Sequence, residues 1–265
     1  MLIAAFELKK ILFSRRGLIG LFAFALVWFV LLWYPVRQAS VYLFTPDIKQ
    51  LLINVFGEAS VSQLLSWQVA EMAVMRVAAL YLFPLFSLFI CADQFASDKT
   101  RGMFRFLSLR ADRDTLFLGR IAGYLYIQAL LLALTLIATL ALACSRDSSL
   151  LLLGLGSGLF IFINIIIALL PFTAMMAILS LYANSSRQAT IYAVLLLVGF
   201  SIINGILGHY LPSLNSILQW ILPGAQLSQM INSHGFSQLS LYGVPLIQTA
   251  LFLLLGRSYM GRIAL

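Results

Sequence analysis

Six apolar runs dominate the chain, at positions 18–36, 72–91, 121–144, 150–181, 190–209 and 241–256. A helix crossing a hydrocarbon core needs roughly 20 apolar residues. Five runs reach or approach that length, and the last does so if its helix starts a few residues earlier. The fourth is longer than a bilayer requires and contains Pro171, so a kink, a tilt or an extension into the cytosol is expected to absorb the excess. The pattern predicts an all-α integral membrane protein, a single transmembrane domain over 1–265 with six transmembrane helices.

The segments between the runs carry patterns of their own. Ile48, Leu51, Leu52 and Val55 follow i, i+3, i+4, i+7, and Val61, Leu64 and Leu65 form a second set after Gly57. Two short amphipathic helices on the outer interface fit that spacing. In 210–240 a nine-residue apolar-rich piece stops at Pro223-Gly224, too short to span, which reads as a re-entrant or interfacial segment. Residues 1–17 mix Leu2, Phe6 and Phe13 with Lys9 and Lys10, which reads as an interfacial helix on the cytosolic face, its basic residues meeting anionic lipid headgroups.

Composition strengthens the membrane reading. The chain is 62% hydrophobic and 10% charged, against about 25% charged in a soluble domain. Apolar surface in that proportion cannot be hidden within the chain, so lipid must be its solvent. The net charge of +8 is distributed, not clustered for nucleic acid. With six spans, Lys9, Lys10, Arg15, Arg16, Lys99, Arg101, Arg105, Arg110, Arg113, Arg120, Arg187, Arg257 and Arg262 fall on one side, and Arg37, Lys49, Arg76 and Arg146 on the other. Positive residues favour the cytosolic side, so both termini are expected there, in a multi-pass protein of the cytoplasmic (inner) membrane. No nucleic-acid partner is expected.

Much chemistry is missing. Ion-coupled carriers usually keep an acid deep in the membrane, whereas Glu7, Asp47, Glu58, Glu71, Asp93, Asp98, Asp112, Asp114 and Asp147 all fall in loops or at span ends. Arg76, about one turn inside the second span, is placed to snorkel outward toward Glu71, or else to line a pathway. His209, His234, Cys91 and Cys144 form no metal or catalytic spacing. "GLGSG" at 154–158 lies inside a span with no preceding strand, so it reads as a site of close helix approach and not as a phosphate loop. With no GxxxxGK[ST] pattern, the chain is not expected to be an enzyme or to hold a cofactor. Span residues such as Gln128, Thr135, Thr139, Asn164, Thr173, Ser201 and Asn204 are expected to bond between helices or to the i−4 carbonyl. Of these, Thr135, Asn164 and Asn204 are the candidates for lining a pathway. The absence of deep charge favours an apolar or amphipathic cargo over a bare ion.

One long stretch reads like a soluble surface: "ADQFASDKTRGMFRFLSLRADRDTLFLGR", at 92–120. Charged residues interleave with Met103, Phe104, Phe106, Leu107, Leu109, Leu116 and Phe117, giving a short helix with an apolar and a charged side. A connector could be four residues long. The extra length fits a docking surface; a solvated interfacial helix is the alternative.

The same stretch resembles the cytosolic signature of type-2 ATP-binding-cassette (ABC) transporter permeases. That signature has an acid–basic pair, a Gly two or three residues on, a hydrophobic helix ending in Leu, a break, a Ser/Arg-type restart, and Gly–Lys/Arg opening the next span. Asp98-Lys99, Gly102, Phe106-Leu107-Ser108-Leu109, Arg113 and Gly119-Arg120 match it in order. "AILSLYANSSRQA" is similar to the family's fourth-to-fifth span junction, and "WILPGAQL" to its outer segment before the last span. Met103 and Arg110-Ala111 depart from the Thr and Pro common there, which implies a less sharply ended coupling helix. The resemblance implies a coupling region at 93–118, seated on a separate cytosolic ABC ATPase subunit that binds ATP and Mg. Phe104, Phe106 and Leu107 would be its apolar anchors, and Lys99, Arg101 and Arg105 would pair with acids on the ATPase, with Asp98 and Gly102 in the same interface. A second permease copy or paralogue would complete a 2:2 exporter in membrane lipid. A non-transporting anchor or assembly subunit and an ion-coupled carrier stand as alternatives.

Overall fold

A computed structural model describes residues 7–9, 13–39, 50, 54, 67, 69–103, 106, 112–210, 220, 222–231 and 240–262. Among these residues there is no strand. Six helices are long and apolar enough to cross a membrane: Gly17–Val36, Ala70–Thr100, Arg113–Arg146, Ser148–Tyr182, Ser186–Ile206 and Leu241–Arg262. The six apolar runs thus become the six spans, and the protein is an all-α, multi-pass membrane protein. The two amphipathic helices expected at 48–65 lie outside the described residues.

Helix α1 (Arg15–Leu31) starts where the Ser14 hydroxyl accepts from the Gly17 N–H at 3.0 Å, filling one of the four donors a helix start leaves open. Its end widens into a π turn, Leu32–Val36, around Pro35. Proline has no N–H to give the carbonyl four residues back, and Arg37 N instead reaches the Leu32 carbonyl at 3.0 Å.

Helix α2 (Ala70–Ile90) passes through a 3₁₀ turn, Cys91–Asp93, into the short α3 (Ala96–Thr100). The second span therefore carries on past its expected end at residue 91 and into the charged stretch. Gly102 stops α3 at φ +68°, a left-handed conformation that a side chain resists. Helix α4 (Arg113–Arg146) descends, α5 (Leu151–Tyr182) returns as one helix through Pro171, and α6 (Ser186–Tyr210) follows. After a short α7 (Leu227–Ile231), α8 (Ser240–Arg262) closes the bundle.

Helix α5 is the hub, packing most extensively on α8, then α4 and α2. Of the most apolar stretch of each span, 50% is buried in the second and 44% in the third, but 11% in the first and fifth. Apolar side chains of α1 and α6 such as Phe22 and Leu195 face outward, where lipid is the expected solvent. Close approach uses glycine where it is needed. A Cβ on Gly154 would overlap Leu140 of α4, and one on Gly256 would overlap the Phe117 ring and sit 3.2 Å from Ile178 Cγ1. A Cβ on Gly158 would sit an ordinary 3.9 Å from Met72 Cε, so Gly154 carries the approach in "GLGSG".

Candidate functional site

The charged stretch leaves the bundle beneath a small apolar cluster of Phe95, Leu116, Phe117, Ile121, Ala177, Leu181 and Met260. Phe95 and Phe117 stack at 5.8 Å between centroids. This cluster, contributed by the start of the stretch, α4, α5 and α8, seats the first turn of the charged segment on three spans.

Polar contacts then fix that turn. Arg120 of α4, 3% exposed, donates to the Gln94 carbonyl at 2.6 Å and pairs with Asp98 at 2.5 Å. Glu7, 1% exposed, lies 3.5 Å from the same guanidinium, whose carbon sits 5.2 Å over the Phe95 ring. The N-terminal segment is thus tied to α4 through Glu7. Buried charges survive when paired and hydrogen-bonded, and Arg120 gathers both carboxylates, a carbonyl and a ring face.

Helix α5 supplies the second set. The Ser180 hydroxyl accepts from Phe95 N at 2.8 Å and Ala96 N at 3.1 Å, and donates to the Ala92 carbonyl at 3.1 Å. Lys99 Nζ donates to the carbonyls of Leu181 and Tyr182 at 3.0 and 3.1 Å, capping the negative end of the α5 dipole. Where α4 begins, Arg113 donates to the Met260 and Gly261 carbonyls at 3.3 and 2.8 Å, and Asp114 pairs with Arg257 at 2.6 Å. Both ends of the segment are anchored on span termini.

The candidate interface residues therefore separate. Asp98 is buried on Arg120 and Lys99 is engaged by α5, so these two hold the segment. Arg101, Gly102, Met103 and Phe106 are exposed, Phe106 at 72%. Phe104, Arg105 and Leu107 lie outside the described residues. Sequence reasoning missed Ser180, Gln94 and the Glu7 contact. A lone Ser in an apolar helix signals an i−4 bond as readily as a contact more than eighty residues away.

Deeper in the bundle, Gln128 Nε2 donates to Ser87 Oγ and to Cys91 Sγ, both at 3.1 Å, while Thr173 donates to Gln128 Oε1 at 3.2 Å. This node joins α2, α4 and α5. Thr135 and Thr139 donate back to the carbonyls of Leu132 and Thr135, and Asn164 Nδ2 donates to the Tyr242 hydroxyl at 2.9 Å. Asn204 is half-buried on α6, and its Oδ1 has no hydrogen-bond partner among the described residues. The three pathway candidates do not converge on one hydrogen-bonded group.

At the far end one sequence expectation is corrected. Glu71 pairs with Arg146, at 3.3 Å, and not with Arg76. Helix neighbours are three or four residues apart; Glu71 and Arg76 are five apart and point to different sides. Arg76 turns inward, 2% exposed, donates to the Met230 carbonyl, and lies 5.1 and 5.3 Å from the ring centroids of Trp67 and Phe160. Gln248 of α8 holds the Leu222 carbonyl at 2.8 Å, and Gly224, at φ +102°, abuts Phe172 of α5. The 222–231 piece is thereby drawn in between spans.

No group of three or more metal-ligating side chains occurs among the described residues. The model of the family described as "ABC-2 family transporter protein" matches residues 1–256. No curated protein matches the chain.

Proposed function

Because this chain belongs to the ABC-2 family of transporter proteins and carries six membrane-crossing helices, we propose that it is the permease subunit of an ATP-driven exporter. A separate cytosolic ABC ATPase binds ATP and Mg and docks on the 93–118 segment, and a second permease copy or paralogue completes a 2:2 complex. Both termini and the segment face the cytosol, and the complex sits in the inner membrane. This chain holds no cofactor of its own.

One observation carries the reading: the segment projects apolar and basic groups while its root is locked to span ends. Phe106, Met103 and Arg101 point outward, and Asp98, Lys99 and Gln94 are held by Arg120 and the end of α5. A docking surface on a loose loop would absorb any push. A surface locked to α4 and α5 passes it to the spans as a rigid-body rotation. ATP must bind the closed ATPase pair more tightly than the open one for this to drive a change. Phe104, Phe106 and Leu107 are the anchors, with Arg101 and Arg105 facing acids on the ATPase. Thr135, Asn164 and Asn204 remain the pathway candidates, for an amphipathic cargo.

The test is purification from the native membrane. A P-loop ATPase should co-purify at one copy per permease, and Phe104→Asp with Leu107→Asp should release it or uncouple its hydrolysis. An intact, fully coupled double variant would rule out this docking site.

A further inference from the structure

The charged segment follows the second span in sequence, yet the polar contacts that fix its first turn come from the third and fourth. Between α2 and α3 lie the 3₁₀ turn Cys91–Asp93 and the bend at Gln94-Phe95. A helix end leaves carbonyls without partners, and the next helix start leaves N–H groups without partners. Buried in a membrane protein, such groups must be satisfied. One side chain supplies three of these bonds: Ser180 accepts from Phe95 N and Ala96 N and donates to the Ala92 carbonyl, at 0% exposure. A hydroxyl has one donor and two acceptor sites, so its whole capacity is spent on this joint.

We propose that Ser180 is a positioning residue that pins the joint of the second span to α5, so that the charged segment moves with α4 and α5 while α2 bends against it. Lys99 on the last α5 carbonyls and Arg120 on Asp98 and the Gln94 carbonyl make the same attachment from either side. Toward α2 the segment has the short 3₁₀ turn and the bend at Gln94-Phe95, where regular α-helical bonding is interrupted, as it is further back at Pro84. The bend is stable because α5 satisfies it. This assignment rests on the ATPase-docking reading for the source of the push, but the Ser180 contacts can be tested without a partner.

The first arm is amide hydrogen exchange on the full chain in detergent. Phe95 and Ala96 should be protected, should exchange at least about tenfold faster in Ser180→Ala as their local opening becomes easier, and should recover in Ser180→Thr, which keeps the hydroxyl. Unchanged exchange in Ser180→Ala overturns the proposal, as does failure of Ser180→Thr to recover protection if Ser180→Ala loses it. The second arm uses spin labels in the wild-type complex with its ATPase, with Cys144→Ser, at Thr100→Cys paired with either Asn184→Cys or Leu85→Cys. On trapping ATP with vanadate, the 100–184 distance should hold and the 100–85 distance should change. The reverse pattern, or an equal change in both, overturns the proposal even if Ser180→Ala does not fold. If no ATPase co-purifies, the docking reading fails, and the exchange arm still decides whether Ser180 pins the joint.

Discussion

Two buried arginines stand at opposite ends of the bundle, Arg120 by the charged segment and Arg76 at the far end, and they are held differently. Arg120 meets Asp98 at the end of the second span and Glu7 of the N-terminal segment, together with the Gln94 carbonyl and the Phe95 ring. Arg76 donates to the Met230 carbonyl and faces the rings of Trp67 and Phe160. At the charged end, carboxylates from two separate parts of the chain meet at one guanidinium. At the far end the guanidinium meets a backbone carbonyl of the 222–231 piece and the faces of two rings. One arginine is held by carboxylates, the other by a carbonyl and aromatic rings.

The sharpest way to break this contrast is Arg120→Leu. It breaks the buried ion pairs of Arg120 with Asp98 and Glu7, which should cost about 3–5 kcal/mol, read as a fall in the melting temperature of the purified protein. Adding Asp98→Asn should restore part of the loss, because residues of one network do not act additively. A smaller effect comes from packing. Gly256→Ala drives a Cβ into the Phe117 ring under the Arg120 junction, and overpacking of that kind costs about 1–3 kcal/mol. Gly154→Ala, at the other end, meets the tip of Leu140, which can turn aside, so its melting temperature should fall less. Arg76→Leu removes the donor to Met230, a loss of about 1–2 kcal/mol. Faster amide exchange should then be confined to 227–231, with Phe95 and Ala96 still protected. The smallest change in stability belongs to Phe106→Asp. Phe106 is mostly exposed, so the shift should stay within about 0.5 kcal/mol, yet on the docking reading the ATPase should be lost in co-purification.

The spans were legible because lipid leaves a strong mark: every backbone group must be paired within a helix, and the helix must be apolar over its length. The charged stretch was legible for the opposite reason, since so many ionic groups between two apolar runs have to be outside the bilayer. Partner choice was not legible. Glu71 and Arg76 are close in sequence but sit on different sides of α2, while Glu71 and Arg146 meet across two helices. Ser180 and the α2–α3 joint lie 84 and 85 residues apart, and nothing in the local pattern of "AILSLYANSSRQA" distinguishes a serine that bonds its own helix from one that caps another. The helix end expected at Arg110-Ala111 lies outside the described residues, and the short α3 before it ends at Gly102, at positive φ.

The central claim is that a separate ATPase grips the segment from the side of the membrane that holds the basic excess. The most direct measurement is photo-crosslinking in intact cells with a photoreactive amino acid in place of Phe106. One dominant adduct is expected, a P-loop ATPase identified by mass spectrometry, which disappears when the photoreactive residue is moved to the far-end position 147. Adducts formed with lipid alone, or a position 106 that reacts with a membrane-impermeant reagent added outside the cell, would contradict it.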